Sequence, residues 1–310
     1  MKTAAISTLI ALLLLTLGLA PNRSFLDDTR LVSFDVSVTG KNGSPAVGLT
    51  KDNFKVYENG IERSVTRVST TRAPFALVVL VELSEDATMG DGMESARNLV
   101  NSLDARDWGA VVAFDTRTDI VVDFTHDKTV LLGGLRRLQT RNFGDSALFD
   151  ALAFVGDRMK NLDQKGAILL LGSGRDNASV NRTYGQALRR AETSDIVIYT
   201  VSVAHHPLIA SVEPWQDRAE QFQIREAEDT LRSFAAASGG LSFEPLWGDQ
   251  YSSIGRTVMT DLRNQYTLTF ASANPGIEGK LRKLKVEVAG ADVDHDGKVD
   301  KLKVRHKRGY

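Results

Sequence analysis

The chain has 310 residues, of which 42% are hydrophobic and 25% charged, a composition typical of globular proteins rather than disordered or fibrous ones. Its 38 Lys and Arg residues against 39 Asp and Glu residues give a formal net charge of −1, which does not support a nucleic-acid-binding surface. Cysteine is absent from the sequence, so disulfides, thiolate catalysis and cysteine-based metal sites are excluded. The length allows one large domain or two modest ones.

The N-terminal segment predicts export. Lys2 precedes an apolar run from Ala4 to Ala20, and a basic residue followed by such a run is typical of a signal peptide. The cleavage motif at the end of the run is imperfect, because Pro21 follows it. Two outcomes stay open. Residues 1–24 form a signal peptide of a periplasmic or secreted protein, or residues 4–20 anchor the protein in the inner membrane.

Residues 25–72 predict a small antiparallel β unit. Leu31–Thr39 alternates apolar and polar residues with a period of two, as a half-buried strand does. Two more strands are predicted at Phe54–Tyr57 and Ile61–Val68. The Asn59-Gly60 pair between them indicates a tight hairpin turn.

Residues 73–265 predict an α/β domain. Phe75–Val81 and Ala167–Leu171 are continuous apolar runs, which indicate strands buried on both faces, as in a parallel sheet. Amphipathic helices alternate with such strands, so the predicted fold is a doubly wound, mostly parallel sheet. Further elements are predicted as strands at Ala110–Phe114, Ile120–Phe124 and Ile196–Val203, and as helices at about 127–138, 146–160, 180–193, 219–237 and 249–264.

Residues 266–310 return to a β pattern. Tyr266–Ala271 and Leu284–Val288 alternate, and Leu302–Val304 is a short final strand. We predict that this segment packs with the N-terminal unit, so that one antiparallel β unit is built from both ends of the chain.

Four sequence markers, in the same order along the chain, resemble those of bacterial von Willebrand factor A (VWA)-related domain proteins of the type common in acidobacterial secretomes. They are Gly48–Gly60, Val81-Glu-Leu-Ser84 with Asp145–Leu152, Leu169–Asn177, and Leu262–Tyr266 with Lys307–Tyr310. The resemblance implies a VWA fold and an exported protein-binding, adhesion or scaffolding module with an unidentified protein partner. It also implies a metal ion-dependent adhesion site at the carboxyl edge of the sheet, built from an Asp-x-Ser-x-Ser motif, a Thr and a distal Asp.

The residues at these family positions depart from the motif. Glu82 stands in place of the first Asp, Ser84 is retained, and Asp86 replaces the second Ser. Ser146 replaces the Thr, and Ser173 replaces the distal Asp. Oxygen ligands for Mg²⁺ or Mn²⁺ remain, but a small cation demands near-octahedral geometry. A degenerate cation site and a solvated acidic loop edge therefore stay open, and the loop edge is preferred.

A second acidic segment resembles the start of a calcium-binding loop. Asp292, Asp294, Asp296 and Asp300 fall at positions 1, 3, 5 and 9 of such a loop, and Lys298 offers a backbone carbonyl at position 7. Position 12 is a Lys rather than a Glu, and the flanking segments read as strands. One alternative is a Ca²⁺-clasped hairpin in a structural component of the envelope whose VWA domain itself needs no metal. The other is a polar turn.

The sequence motifs typical of enzymes are missing or incomplete in this chain. No His pair has the His-Glu-x-x-His spacing. Ser173 follows a buried strand, but a nucleophile elbow needs a Gly two residues earlier, where Leu171 stands. We therefore predict a protein without enzymatic activity, with a hydrolase as the weaker alternative.

Overall fold

The computed structural model describes residues 30–70, 73–85, 87, 90–138, 144–203, 217–246, 248–272, 280–291, 293 and 299–310. In this part of the chain the strands are β1 Arg30–Thr39, β2 Phe54–Glu58, β3 Ile61–Arg63, β4 Val65–Thr70, β5 Phe75–Glu82, β6 Trp108–Phe114, β7 Thr118–Thr125, β8 Lys165–Gly172, β9 Ile196–Ser202, β10 Ser242–Phe243, β11 Tyr266–Ser272, β12 Leu284–Val288 and β13 Lys303–His306. The helices are α1 Gly92–Asn101, α2 Lys128–Arg137, α3 Leu148–Met159, α4 Tyr184–Thr193, α5 Asp217–Ser238 and α6 Gly248–Arg263.

A mostly parallel central sheet organises the middle of the chain. Its described strands lie in the order β10-β9-β8-β5-β6-β7, and β7 is antiparallel to β6. Read from the β7 edge and numbered along the chain within this sheet, the order is 3-2-1-4-5-6, which is the order of Rossmann-type folds. The predicted fold class, a doubly wound and mostly parallel α/β sheet, is confirmed.

Helices cover both faces of this sheet. Side chains of β5 alternate between the two: Leu77 and Val79 pack with α1, α2 and α6, whereas Val78 and Leu80 pack with α3, α4 and α5. Every residue of β5 is buried, which explains why its sequence is a continuous apolar run instead of an alternating one.

The two ends of the chain form antiparallel sheets. Their orders are β13-β1-β11-β4 and β12-β2-β3, and the apolar faces of β1, β2, β11 and β12 share one hydrophobic core. Asn59 and Gly60 join β2 to β3 with φ angles of 50° and 82°, as the predicted tight turn requires. The antiparallel unit built from both ends of the chain is thus confirmed as part of the fold class.

Three elements differ from expectation. The predicted strand Ile61–Val68 breaks at Ser64, because β3 pairs with β2 whereas β4 pairs with β11 in the other sheet. The helix expected from residue 180 begins at Tyr184, where the Thr183 side chain caps its first turn. Strand β10 was not predicted, since two residues are too short to show a pattern.

None of the helices in the described ranges has the length and hydropathy needed to cross a bilayer.

Candidate functional site

The candidate site lies where the strand order of the central sheet reverses. Strands β5 and β8 are neighbours, but the chain leaves them toward opposite edges of the sheet, to β6 and to β9. Loops that follow such a pair of strands diverge and leave a crevice at the carboxyl edge, where open α/β sheets usually bind ligands. Glu82 ends β5, Ser173 directly follows β8, and Ser146 lies just before α3.

The Glu82 carboxylate is the centre of a buried polar cluster. Ser84 Oγ donates a hydrogen bond to Glu82 Oε1 at 2.5 Å. Ser173 donates twice, from its backbone N to Oε2 at 2.7 Å and from Oγ to Oε1 at 2.9 Å. The structure therefore brings together four of the five side chains predicted for this edge: Glu82, Ser84, Ser146 and Ser173, each at most 1% exposed. The fifth, Asp86, lies outside the described residues.

The surroundings of Glu82 favour its neutral form. Burial raises the pKa of this carboxyl, and the hydrogen bonds from Ser84 and Ser173 reduce that rise without cancelling it. Gly172 makes the close approach possible, since a Cβ atom there would lie 2.7 Å from Glu82 Oε2. Glu82 is therefore buried in the protein interior with the three serines, and it is not a solvated residue of a loop edge.

Ser146 is the member of the cluster with unused hydrogen-bonding capacity. Its Oγ is near enough to Glu82 to lower the carboxyl pKa, yet it makes no hydrogen bond of normal geometry within the described part of the chain. Any attraction between the two groups is weak, because hydrogen-bond strength falls steeply with distance and angle. The Ser146 hydroxyl thus adds polarity to the cluster without a fixed partner.

Two residues that the sequence analysis did not assign hold the loops of this edge together. Asn177 Oδ1 accepts the Ser146 backbone N–H at 2.7 Å, and Asn177 Nδ2 donates to Asp145 at 2.8 Å. Asp176 Oδ2 accepts the backbone N–H of Phe149, in the first turn of α3, at 2.7 Å. Both residues belong to the marker Leu169–Asn177, but only the tertiary structure shows that they contact the neighbouring loop.

The described members of the cluster supply a single carboxyl group and do not by themselves form a divalent-cation site. The described residues contain no group of three or more His, Asp or Glu side chains that could hold a metal ion. Both oxygens of Glu82 already accept hydrogen bonds, and burial disfavours the charged form that a metal ligand needs. Mg²⁺ also usually retains several water ligands, for which groups at most 1% exposed leave no access.

The structure describes the predicted calcium loop at one of its five ligand positions, Asp300. Asp292, Asp294, Asp296 and Lys298 lie outside the described residues. Asp300 is described, and its Oδ2 accepts the Val293 backbone N–H at 2.8 Å. Calcium binding by this segment stays a prediction.

The two described histidines lie away from the cluster. His126 Nδ1 is 2.8 Å from the carbonyl oxygen of Asp107, which precedes β6 and so lies at the amino edge of the sheet. His306 Nε2 accepts the Val286 backbone N–H at 3.2 Å within the β unit, and burial lowers its pKa. Neither can serve as a base for Ser84 or Ser173 in this structure.

The strand order and the edge cluster define a Rossmann-like α/β protein with a buried acid at its switch point. No family profile and no curated protein sequence matches the chain. Among solved structures it is similar to a von Willebrand factor type A protein from Catenulispora acidiphila, with 13% identity over 91% of this chain and 75% of that one and a TM-score of 0.48.

Two further similar structures come from different sources. One is an aerotolerance-related membrane protein from Bacteroides fragilis, with 14% identity over 61% of this chain and 98% of that one and a TM-score of 0.47. The other is proximal thread matrix protein 1 of the mussel byssus with a zinc-occupied MIDAS motif, with 14% identity over 66% and 50% and a TM-score of 0.47. All of these TM-scores are below 0.5, so the fold class rests on the strand order and not on these likenesses.

Proposed function

We propose that this chain is an exported, non-enzymatic VWA-type module that binds a partner protein or serves as a scaffold, and that it does so without a metal ion. The observation that carries the proposal is the position of the loops after β5, before α3 and after β8, which meet at the switch point of the sheet. Export is supported by the sequence pattern of Lys2 and residues 4–20.

Metal independence is supported by the chemistry of the cluster. In the acidobacterial VWA-related proteins that the sequence resembles, an Asp begins the cation site. The longer Glu82 side chain instead reaches the backbone N–H of Ser173. It thereby supplies the fixed link between β5 and β8 that a bound cation would otherwise provide, and the loops stay in place without one.

A capture experiment with the purified chain tests this function. The chain is immobilised and exposed to the envelope fraction of its native host, with Mg²⁺ and Mn²⁺ or with EDTA. We expect a specific protein to be retained equally in both conditions. Failure of the chain to retain any protein would refute the binding function, and loss of the partner in EDTA would refute metal independence.

A surface variant tests the position of the contact. Val180 follows β8 in the loop at the carboxyl edge, and its side chain is 88% exposed. Val180→Glu should reduce capture at least about tenfold, because it places a charge within a contact that excludes water. Ile61→Glu is the control, since Ile61 is also exposed but lies on β3 of the antiparallel unit. Equal capture by both variants would place the contact elsewhere.

A further inference from the structure

A groove between α4 and α5 opens beside the candidate site. It has a volume of about 620 Å³ and begins at the loop Gly174–Asn177 that directly follows Ser173. One wall is a face of α5 that carries small and polar side chains at helical spacing, which are Gln223, Glu226, Ala227, Thr230 and Ser233. The groove is thus continuous with the edge proposed above as the contact surface.

The opposite side of the groove is aromatic. Tyr184, at the start of α4, packs with Phe149 and Phe234 at ring-centroid distances of 5.8 Å each. Tyr184 is nevertheless 39% exposed and lines the groove. Phe222 lies one turn before Glu226 on α5 and is also exposed.

The charge of the groove is predominantly negative. Its lining includes three acidic residues, Asp176, Glu226 and Asp229, and one basic residue, Arg175. Asp229 pairs with Arg232, and Asp176 accepts hydrogen bonds from Phe149 and Ser179. The Glu226 carboxylate has no ion-pair or hydrogen-bond partner among the residues that the structure describes, so it is the charge available to a ligand.

The amino end of α4 does not reverse this preference. A helix N-terminus favours anions through its unpaired amide groups. Here Thr183 and Gln186 form a capping box, and the Asp150 carboxylate accepts the N–H groups of Val180 and Asn181 just before the helix. The hydrogen bonds from Asn181 and Val180 more than offset the effect of burial and lower the pKa of Asp150, which keeps this group negatively charged.

We propose that the α4–α5 groove binds a lysine or arginine side chain in a basic segment of the partner protein. The Glu226 carboxylate would pair with the cation, while the face of the Tyr184 ring would contact it through a cation–π interaction. The four-carbon or three-carbon stem of the side chain would cover the apolar part of the groove. This inference rests on the proposed function, because it names the chemistry of the partner at the same edge.

Fluorescence anisotropy with peptides tests the groove directly. The probe is a labelled, N-acetylated and C-amidated ten-residue peptide of alternating Lys and Ala, and a Glu-Ala peptide of the same length is the comparison. We expect the chain to bind the basic peptide and not the acidic one. We also expect the affinity to fall as salt is raised, since exposed charges are screened. Absence of basic-peptide binding, or equal binding of both peptides, would overturn the proposal.

Variants assign that binding to the groove. Tyr184→Ala should weaken it about two- to fivefold, as expected for the loss of an exposed cation–π contact. Glu226→Gln should weaken it by a similar factor, whereas Glu62→Gln on β3 removes the same charge far from the groove and should change nothing. Unchanged binding by both groove variants would exclude this site.

The Glu226→Gln variant also separates the groove proposal from the proposed function. If the wild-type chain captures a partner from the envelope fraction and Glu226→Gln captures it equally well, the groove proposal fails and the binding function stands. If the wild-type chain captures no partner, the proposed function fails.

Discussion

The length of the Glu82 side chain determines the chemistry at the carboxyl edge. The carboxylate extends from the end of β5 to the first residue after β8, where Oε2 accepts the Ser173 N–H at 2.7 Å. With Ser84 and Ser173 donating to it, this one group satisfies donors from two neighbouring loops. Burial without an opposite charge makes the ionised form of Glu82 costly. Protonation of Glu82 therefore stabilises the folded state, whereas protonation of a solvated acid would not.

The dependence of stability on pH tests this description of Glu82. Its pKa is raised from 4.5 in the folded state, so the folded protein binds this proton more tightly than the unfolded chain. The associated stabilisation is complete below about pH 4.5 and is lost as the pH rises through the folded pKa. Glu82→Gln cannot titrate, so the difference in unfolding free energy, wild type minus variant, should fall as the pH rises above 4.5. Urea unfolding from pH 4 to pH 8 measures it.

A second variant separates the charge of Glu82 from its reach. Glu82→Asp keeps the acid but shortens the side chain by one methylene group, so the Ser173 N–H and the Ser84 hydroxyl lose their acceptor. We expect a destabilisation of about 1–3 kcal/mol, as for buried donors left unsatisfied. Glu62→Gln, at an exposed position on β3, is the matched control for both experiments. A pH profile of Glu82→Gln parallel to that of wild type would show that Glu82 does not titrate in this range.

At the scale of elements, helix α3 is capped by a loop that belongs to another part of the sheet. Its own N-cap residue is Ala147, whose side chain cannot accept a hydrogen bond. Asp176 Oδ2 accepts the Phe149 N–H at 2.7 Å, and Ser179 Oγ accepts the Asp150 N–H at 3.0 Å. The loop after β8 therefore caps the N-terminus of α3. The position of that loop is thereby coupled to the start of the helix.

Removal of this cap should be measurable. Asp176→Ala should destabilise the protein by about 1 kcal/mol, the usual cost of a lost N-cap side chain. Asp176→Asn retains an acceptor oxygen and should lose clearly less. Thermal or urea unfolding gives both values, and equal losses for the two variants would show that the hydrogen bond is not the source of the effect.

Gly174 fixes the path of the same loop. Its φ angle is +87°, and a Cβ atom there would lie 2.2 Å from the backbone oxygen of Ala227 on α5. Gly174→Ala should therefore destabilise by more than the roughly 1 kcal/mol that φ alone costs a residue with a side chain. Gly156→Ala in the middle of α3 meets only an ordinary contact at 3.7 Å and should stabilise by about 0.5–1 kcal/mol. Denaturant midpoints of the two variants should lie on opposite sides of wild type.

The sequence predicts correctly those elements whose local residue pattern agrees with the tertiary environment they occupy. The continuous apolar run of β5 and the Asn59-Gly60 turn are local signals, and both appear as predicted. The break at Ser64 and the capping role of Asp176 depend on which distant strand or helix lies nearby, so no local signal records them. Burial of Glu82 could not be foreseen either, because glutamate is almost never fully buried unless it is paired, and one of its two hydrogen-bond partners, Ser173, is distant in sequence.

At the scale of the whole molecule, an ion pair with a buried carboxylate joins the antiparallel unit to the α/β part of the chain. Asp261 on α6 is 7% exposed and pairs with Arg305 on β13. Its Oδ2 also accepts the Tyr199 hydroxyl of β9 at 2.7 Å, and burial together with this carboxylate raises the pKa of Tyr199 well above its usual value. Three elements from distant parts of the sequence therefore depend on one carboxylate.

Arg305→Met tests how strongly this pair holds the two parts together. Removal of one partner of a buried pair typically costs 3–5 kcal/mol because the other charge stays buried. Since Arg305 is 21% exposed, we expect a smaller loss of about 2–3 kcal/mol. Arg308→Met is the control: Arg308 is half exposed, with a 3.5 Å contact to Glu192, and should lose less than about 1 kcal/mol.

A double-mutant cycle distinguishes the effect of the uncompensated Asp261 charge from the loss of the other hydrogen bond that Arg305 makes. Asp261→Asn keeps an acceptor for the Tyr199 hydroxyl but removes the charge that Arg305 neutralises. If the uncompensated carboxylate causes the loss, adding Asp261→Asn to Arg305→Met should recover part of the unfolding free energy, with a coupling of at least about 0.5 kcal/mol. Strict additivity of the two substitutions would instead mean that Arg305 acts through its other contact, the hydrogen bond from Nη1 to the Gly239 carbonyl oxygen at 3.2 Å just after α5.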